Sequence, residues 1–180
     1  PSMGSWLNYG LGFENQNLPG YITFKPTGTH GGMNAWSSAF LPAHYHGVQI
    51  GTNATPIDKA KIPFIDRNGK PLSSQRRELD LLAQINREHL SERGQDNKLE
   101  ARINSFELAF RMQMSVPEVM DLTKEPEHVL KLYGAKPGHV SDAESAADPR
   151  RLYKGNDPTF ANNCLLARRL VENGVRFVQL

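Results

Sequence analysis

Pro158-Thr159-Phe160-Ala161-Asn162-Asn163-Cys164-Leu165-Leu166-Ala167-Arg168-Arg169-Leu170-Val171-Glu172-Asn173-Gly174-Val175-Arg176-Phe177-Val178-Gln179-Leu180 reads as one helix that stops at a glycine and becomes a strand. Proline is tolerated in a first helical turn, where its missing N–H would be unpaired anyway. Phe160, Cys164, Ala167 and Val171 then recur at helical spacing up to Asn173-Gly174. The run from Val175 to Leu180 is β-branched and aromatic enough for a strand. A helix, a glycine and a strand in that order predict an αβ connection feeding a buried, parallel sheet, hence an α/β fold. Ligands in open α/β sheets bind beyond the carboxyl ends of the strands. The strand therefore points at a functional loop.

Outward from this unit the chain has two textures, joined near Pro71. Of 40 charged residues only 8 fall in positions 1–72, which hold 17 of the 27 glycines and prolines. Residues 1–72 read as loops with short elements: a helix over Ser5–Gly12, strands at Gly20–Phe24 and Gly47–Ile50, and a short helix over Met33–Leu41 stopped before Pro42. Residues 73–134 read as helical. A first helix starts with Ser73 or Ser74 as N-cap, carries Leu79, Leu82, Ala83 and Leu90, and stops near Gly94. A second, Asp96–Ser115, carries Leu99, Ile103, Phe106, Phe110 and Met114 on one stripe, so the two are expected to pack as a hairpin on the main body. A short helical piece follows Pro117, then a helix over Glu127–Tyr133 ending at Gly134. Residues 135–157 read as a surface loop, and 158–180 return to the sheet.

Composition excludes several classes. A chain of 180 residues, 38% hydrophobic and 22% charged, is too apolar for a disordered tail. A net charge of +2, with basic residues interleaved among acids, excludes a phosphate-backbone binder, so no nucleic-acid partner is expected. No stretch reaches the roughly 20 apolar residues a membrane span needs. Cys164 is the single cysteine, so no intrachain disulfide forms. The chain opens at Pro1-Ser2-Met3 and closes inside a strand, so it is expected to be a fragment of one larger domain, with neighbouring segments of the same polypeptide as its partners.

The candidate functional residues lie mostly in the glycine-rich part. His44 and His46 stand two apart, which on a strand puts both imidazoles on one face. With no third ligand at local spacing, a surface or hydrogen-bonded role is the simpler reading than a metal site, and both are kept as candidate substrate contacts. His30-Gly31-Gly32-Met33-Asn34 is a glycine turn whose free N–H groups suit an anionic group, with His30 and Asn34 as donors. Trp36, with Trp6 and Tyr45, is a candidate for a pocket wall or, as buried aromatics more often are, for the core. Cys164 and Arg168 match the ends of the Cys-x-Pro-x-Arg core of sulfatases, but Leu166 stands where proline is required. The cysteine lies on an apolar stripe and reads as a small hydrophobe. No catalytic residue is assigned within the chain.

Several phrases together resemble one family: Pro1-Ser2-Met3-Gly4-Ser5-Trp6, Tyr9-Gly10-Leu11-Gly12, Glu14-Asn15-Gln16-Asn17-Leu18-Pro19-Gly20, Trp36-Ser37-Ser38-Ala39-Phe40-Leu41-Pro42, Phe106-Glu107-Leu108-Ala109-Phe110-Arg111-Met112-Gln113, and Leu165 to Leu180. The chain resembles the middle of the bacterial proteins known as domain of unknown function 1501, and the likeness covers nearly all of it. That family is similar to the alkaline phosphatase and sulfatase superfamily. The resemblance implies a partial fold of that type and a parent exported to the periplasm. It also implies hydrolysis of a phosphate or sulfate ester by a serine, threonine or formylglycine nucleophile with a divalent metal, zinc, calcium or similar. The resemblance places the metal ligands before Pro1 and after Leu180, so none falls on a residue here and the chain alone is expected to be inactive. The alternative is a non-catalytic exported binding or assembly protein on the same scaffold.

Overall fold

The computed structural model describes residues 1–24, 32–51, 57, 60, 69–94, 96–139 and 158–180, with only the backbone of 93, 97, 98 and 101. The fold is a mixed α/β arrangement around three short parallel strands. Strands β1 (Tyr21–Phe24), β2 (Val48–Ile50) and β3 (Phe177–Gln179) lie in the order β2-β1-β3. Ile22 stands opposite both Val48 and Val178. The strand expected at each of the three places is there, and the parallel sense predicted from the last unit holds. All four residues of β1 are buried, as a central parallel strand covered on both faces requires.

The two faces of β1 carry different chemistry because successive side chains point opposite ways. Ile22 and Phe24 join Ile50, Leu165, Leu166, Leu170, Met112, Val116, Val119, Met120 and Leu122 in one apolar core. Each large side chain buried there contributes on the order of 1.5–3 kcal/mol of transfer free energy. The opposite face carries Tyr21, whose ring fills a slot between α1 (Met3–Leu11) and the start of β2. A Cβ on Gly4 would stand 2.4 Å from the Tyr21 ring, and one on Gly47 would stand 2.6 Å from it. Both positions need glycine so that helix and strand can close on the aromatic. The Tyr21 hydroxyl donates to the Ala35 carbonyl or to Gln179 Oε1 at 2.6 Å, linking the slot to β3. Helix α1 is started by Ser2, whose hydroxyl accepts from the Ser5 N–H at 3.3 Å, and it is stopped by Gly12 at φ +74°.

The last unit closes as expected. Helix α5 (Pro158–Glu172) ends in a Schellman motif: Val175 N–H donates to Leu170 O at 3.0 Å, and Gly174 N–H to Val171 O at 3.0 Å, with Gly174 at φ +87°. Val175 and Leu170 are both buried, which supplies the motif's apolar contact. The buried face of α5 differs from the expected stripe. Phe160 is 46% exposed and Val171 53%, whereas Leu165, Leu166 and Leu170 are buried. Asn162 is also buried, because its side-chain amide pairs with both the N–H and the carbonyl of Lys136 at 2.8 Å each. That pairing removes the desolvation cost of placing an amide in the core.

The helical part departs from expectation in three ways. Helix α2 (Leu72–Arg93) begins after Pro71 without a side-chain cap, so Ser73 and Ser74 lie inside it. It ends before Gly94 as predicted, yet no described α2 residue is buried, and Leu81, Leu82 and Ile85 are exposed. Helix α3 (Asn97–Met120) does not stop at Ser115 but runs through Pro117. Arg169 supports the turn beyond the proline, donating to Glu118 O at 2.9 Å and Val119 O at 2.8 Å, carbonyls with no partner inside the helix. Finally, Phe106 and Met114 are exposed, while α3 enters the core through Met112, Val116, Val119 and Met120. The hairpin therefore forms, and among the described residues its buried core members all come from α3. Helix α2 leans on α3 through Arg76, which grips Glu107 with two bonds of 2.8 and 2.6 Å and lies 5.1 Å from the Phe110 ring centroid.

Helix α4 (Glu127–Tyr133) spans the predicted residues and ends at Gly134 in the left-handed region. Over Met33–Leu41, only a 3₁₀ turn forms at Gly32–Ala35; Ala39 at φ +49° is incompatible with a continuous helix there. Of the loop expected over 135–157, Ala135 is buried and Lys136 is tied to Asn162; residues 140–157 lie outside the described ones. Among the described residues, no helix is long and apolar enough to cross a membrane.

Candidate functional site

His44 and His46 do not sit on a strand. His44 lies in a 3₁₀ turn, Ala43–Tyr45, and His46 follows as its cap, before β2 begins at Val48. Pro42 enters this turn from an extended conformation, and His46 N–H closes it on Ala43 O at 3.0 Å. The turn packs against α3. Its position opens two adjoining clefts that share His44, Asn104 and Leu108. The larger, about 430 Å³, is lined by His44, His46, Val48 and Gln49 against Asn104, Ser105, Leu108 and Met112. The smaller, about 210 Å³, is lined by Phe13, Asn15, Leu18 and Gly20 against Asn104, Leu108 and Arg111.

The two imidazoles are therefore brought to one cleft, though not by strand alternation. Desolvation lowers the pKa of each below the ordinary 6.5, so both are uncharged at neutral pH. His46 Nδ1 accepts the Ser38 N–H at 3.4 Å, which leaves the proton of the neutral ring on Nε2. The His44 ring lies 3.9 Å from that of Tyr45, and Tyr45 stacks on Phe13 with planes 7° apart. This stack continues through Tyr9 and Trp6 to Phe40, all three with substantial exposure.

Neither Asn34 nor Trp36 is among the residues lining these two clefts. Asn34 is exposed on the 3₁₀ turn that opens at Gly32. Trp36 is half-buried, and its carbonyl accepts the Gly47 N–H at 2.8 Å, so its backbone helps hold the wall on which Tyr21 rests. His30 lies outside the described residues. Cys164 is partly buried and burial raises its thiol pKa, the wrong direction for a nucleophile. Among the described residues no group of three or more His, Cys, Asp or Glu converges to hold a metal ion.

The residues that sequence reasoning missed come from α3. Asn104, Leu108 and Arg111 lie at helical spacing on the face that meets the His44 turn. Arg111 is a charged residue between Phe110 and Met112, a break in an apolar run that was the available signal. Its Nε is buried and has no hydrogen-bond partner among the described residues. A buried unsatisfied donor costs about 1–3 kcal/mol, more for a charged group. The nearby Glu107 carboxylate, held below the usual range mainly by its bonds from Arg76, is already occupied by that pairing.

No match to this chain was found among curated proteins or among solved structures. Residues 1–180, the whole chain, match the family described as protein of unknown function DUF1501. The ordered phrases from Pro1-Ser2-Met3 to the closing strand are thus those of a shared sequence pattern, and the chain belongs to the DUF1501 family.

Proposed function

We propose that these residues form the scaffold and part of the pocket wall of a metal-dependent phosphate- or sulfate-ester hydrolase exported to the periplasm. The observation that carries this reading is the parallel sheet. Three strands run the same way, so their carboxyl ends emerge at one edge, the place where α/β proteins assemble sites. The resemblance of the family to sulfatases supplies the reaction class. The described residues do not fit a divalent metal: His44 and His46 have no third ligand converging with them. In this reading, zinc, calcium or a similar ion, and the nucleophile, are held elsewhere in the protein. The test is metal content together with turnover of a panel of phosphate and sulfate esters by the full-length protein. Stoichiometric metal and turnover abolished by chelation are expected; a metal-free protein inert on the whole panel removes the reading.

A second reading, a non-catalytic binding or assembly protein, is favoured by the exposed aromatic series Phe40, Trp6, Tyr9 and Phe13. Clustered exposed aromatics are a feature of contact surfaces. A complete set of Asp and His ligands with a Ser, Thr or Cys nucleophile in the rest of the protein separates the enzyme from the binder.

A further inference from the structure

We infer that the paired clefts beside His44 form a binding site for a small organic acid, with its anionic group on Arg111 and its apolar body between Phe13 and Leu108. Among the described residues lining the two clefts there is no carboxylate, and Arg111 is the one permanent cation. Glu107, one helical turn before Arg111 and electrostatically coupled to it, is bonded twice to Arg76 on the neighbouring helix. Arg111 therefore lines the smaller cleft as a guanidinium whose buried Nε has no acceptor among the described residues, and an oxyanion in the cleft would balance its charge.

The surroundings suit an acid with an apolar body. Asn104 lies one helical turn below Leu108 on the same wall, and its amide can donate to a second oxygen. Phe13 and Leu18 provide apolar surface in the same cleft as Leu108. The smaller cleft, about 210 Å³, falls below the roughly 300–1,000 Å³ that drug-sized ligands occupy, and the larger, about 430 Å³, falls within it. An acid group in the small lobe with a body extending past His44 fits both. At neutral pH His44 is uncharged, so it acts as a hydrogen-bonding and stacking surface between the lobes and not as a second cation.

This site does not depend on ester hydrolysis, and the test uses acids that are not esters. Benzoate and benzenesulfonate, with benzyl alcohol as the neutral control, are titrated into the protein by calorimetry, and the site is mapped by amide NMR shifts. Both acids are expected to bind in roughly the millimolar range, and benzyl alcohol at least about tenfold more weakly. Arg111→Gln is expected to remove acid binding while leaving the alcohol unchanged, and Lys131→Gln, on exposed α4, to change neither. Should Arg111→Gln fail to fold, Arg111→Lys keeps the charge but loses the two-pronged geometry, and weaker acid binding is expected. Equal affinity for acid and alcohol, acid binding unaffected in the folded Arg111 variant, or shifts mapping away from His44 and Leu108 would overturn the inference.

Discussion

Gly4→Ala and Gly10→Ala make the same chemical change in one helix and should move stability in opposite directions. Alanine is favoured over glycine inside a helix by up to about 1 kcal/mol. At Gly10 a Cβ meets nothing within 4 Å, so that gain stands alone and stabilisation of about 0.5–1 kcal/mol is expected. At Gly4 the new carbon would sit 2.4 Å from Cγ and 2.5 Å from Cδ2 of Tyr21. Ordinary carbon contacts lie near 3.5–4.0 Å, so an overlap of about 1 Å must be relieved. The ring has nowhere to go. It is 1% exposed, faces Gly47 as well as Gly4, and is anchored by its hydroxyl. Relief requires α1 to lift from the sheet, an overpacking cost of about 1–3 kcal/mol that outweighs the helical gain. Urea unfolding followed by circular dichroism measures both variants. A lower midpoint for Gly4→Ala and a raised one for Gly10→Ala are expected, with Gly47→Ala falling alongside Gly4→Ala because its Cβ meets the same ring. Gly4→Ala at or above the parent midpoint would refute the slot.

Three further outcomes follow from the packing. Arg169→Met removes one of the two arginines paired with Glu125, whose side chain is 7% exposed, together with the caps on Glu118 O and Val119 O; Arg168 still holds the carboxylate, so a cost of about 1–3 kcal/mol by thermal unfolding is expected. Arg169→Lys is expected to recover little, since lysine cannot make those bonds together. His44 has its pKa depressed in the fold, so the unfolded chain binds more protons just below pH 6.5: stability is full above 6.5 and falls as pH drops through that value. His46 is depressed in the same way, so replacing both, His44→Gln with His46→Gln, should flatten that part of the stability profile. A persistent fall beginning near 6.5 in the double variant would exclude the two imidazoles as its source, because the lowered Glu107 and Asp121 carboxyls titrate further down. Cys164, its thiol pKa raised by burial, should react with iodoacetamide at pH 8 more slowly than free cysteine; faster alkylation would contradict its inert placement.

Local chemistry in the sequence was enough for the elements whose boundaries are set by neighbouring residues. The helix from Pro158 with its glycine exit into β3, the short strands at Tyr21 and Val48, and the stops at Gly12, Gly94 and Gly134 follow from missing N–H groups, β-branching and the φ freedom of glycine. Which face of a helix is buried was less legible. Periodicity identifies an apolar stripe, but α3 carries apolar residues on more than one face, and only the sheet and α5 decide that Val116 and Val119 enter the core while Phe106 and Met114 do not.

The glycine-rich beginning, the αβ return and the mixed fold class were determined by sequence alone, because each depends on interactions within a few residues. The clefts, the Tyr21 slot and the survival of α3 past Pro117 were decided by tertiary structure. Each joins residues far apart in the chain: His44 with Arg111, Gly4 with Tyr21 and Gly47, and Arg169 with the carbonyls of Glu118 and Val119. Such contacts carry no local spacing, and they exist only once the sheet has set the distance between the elements that bear them.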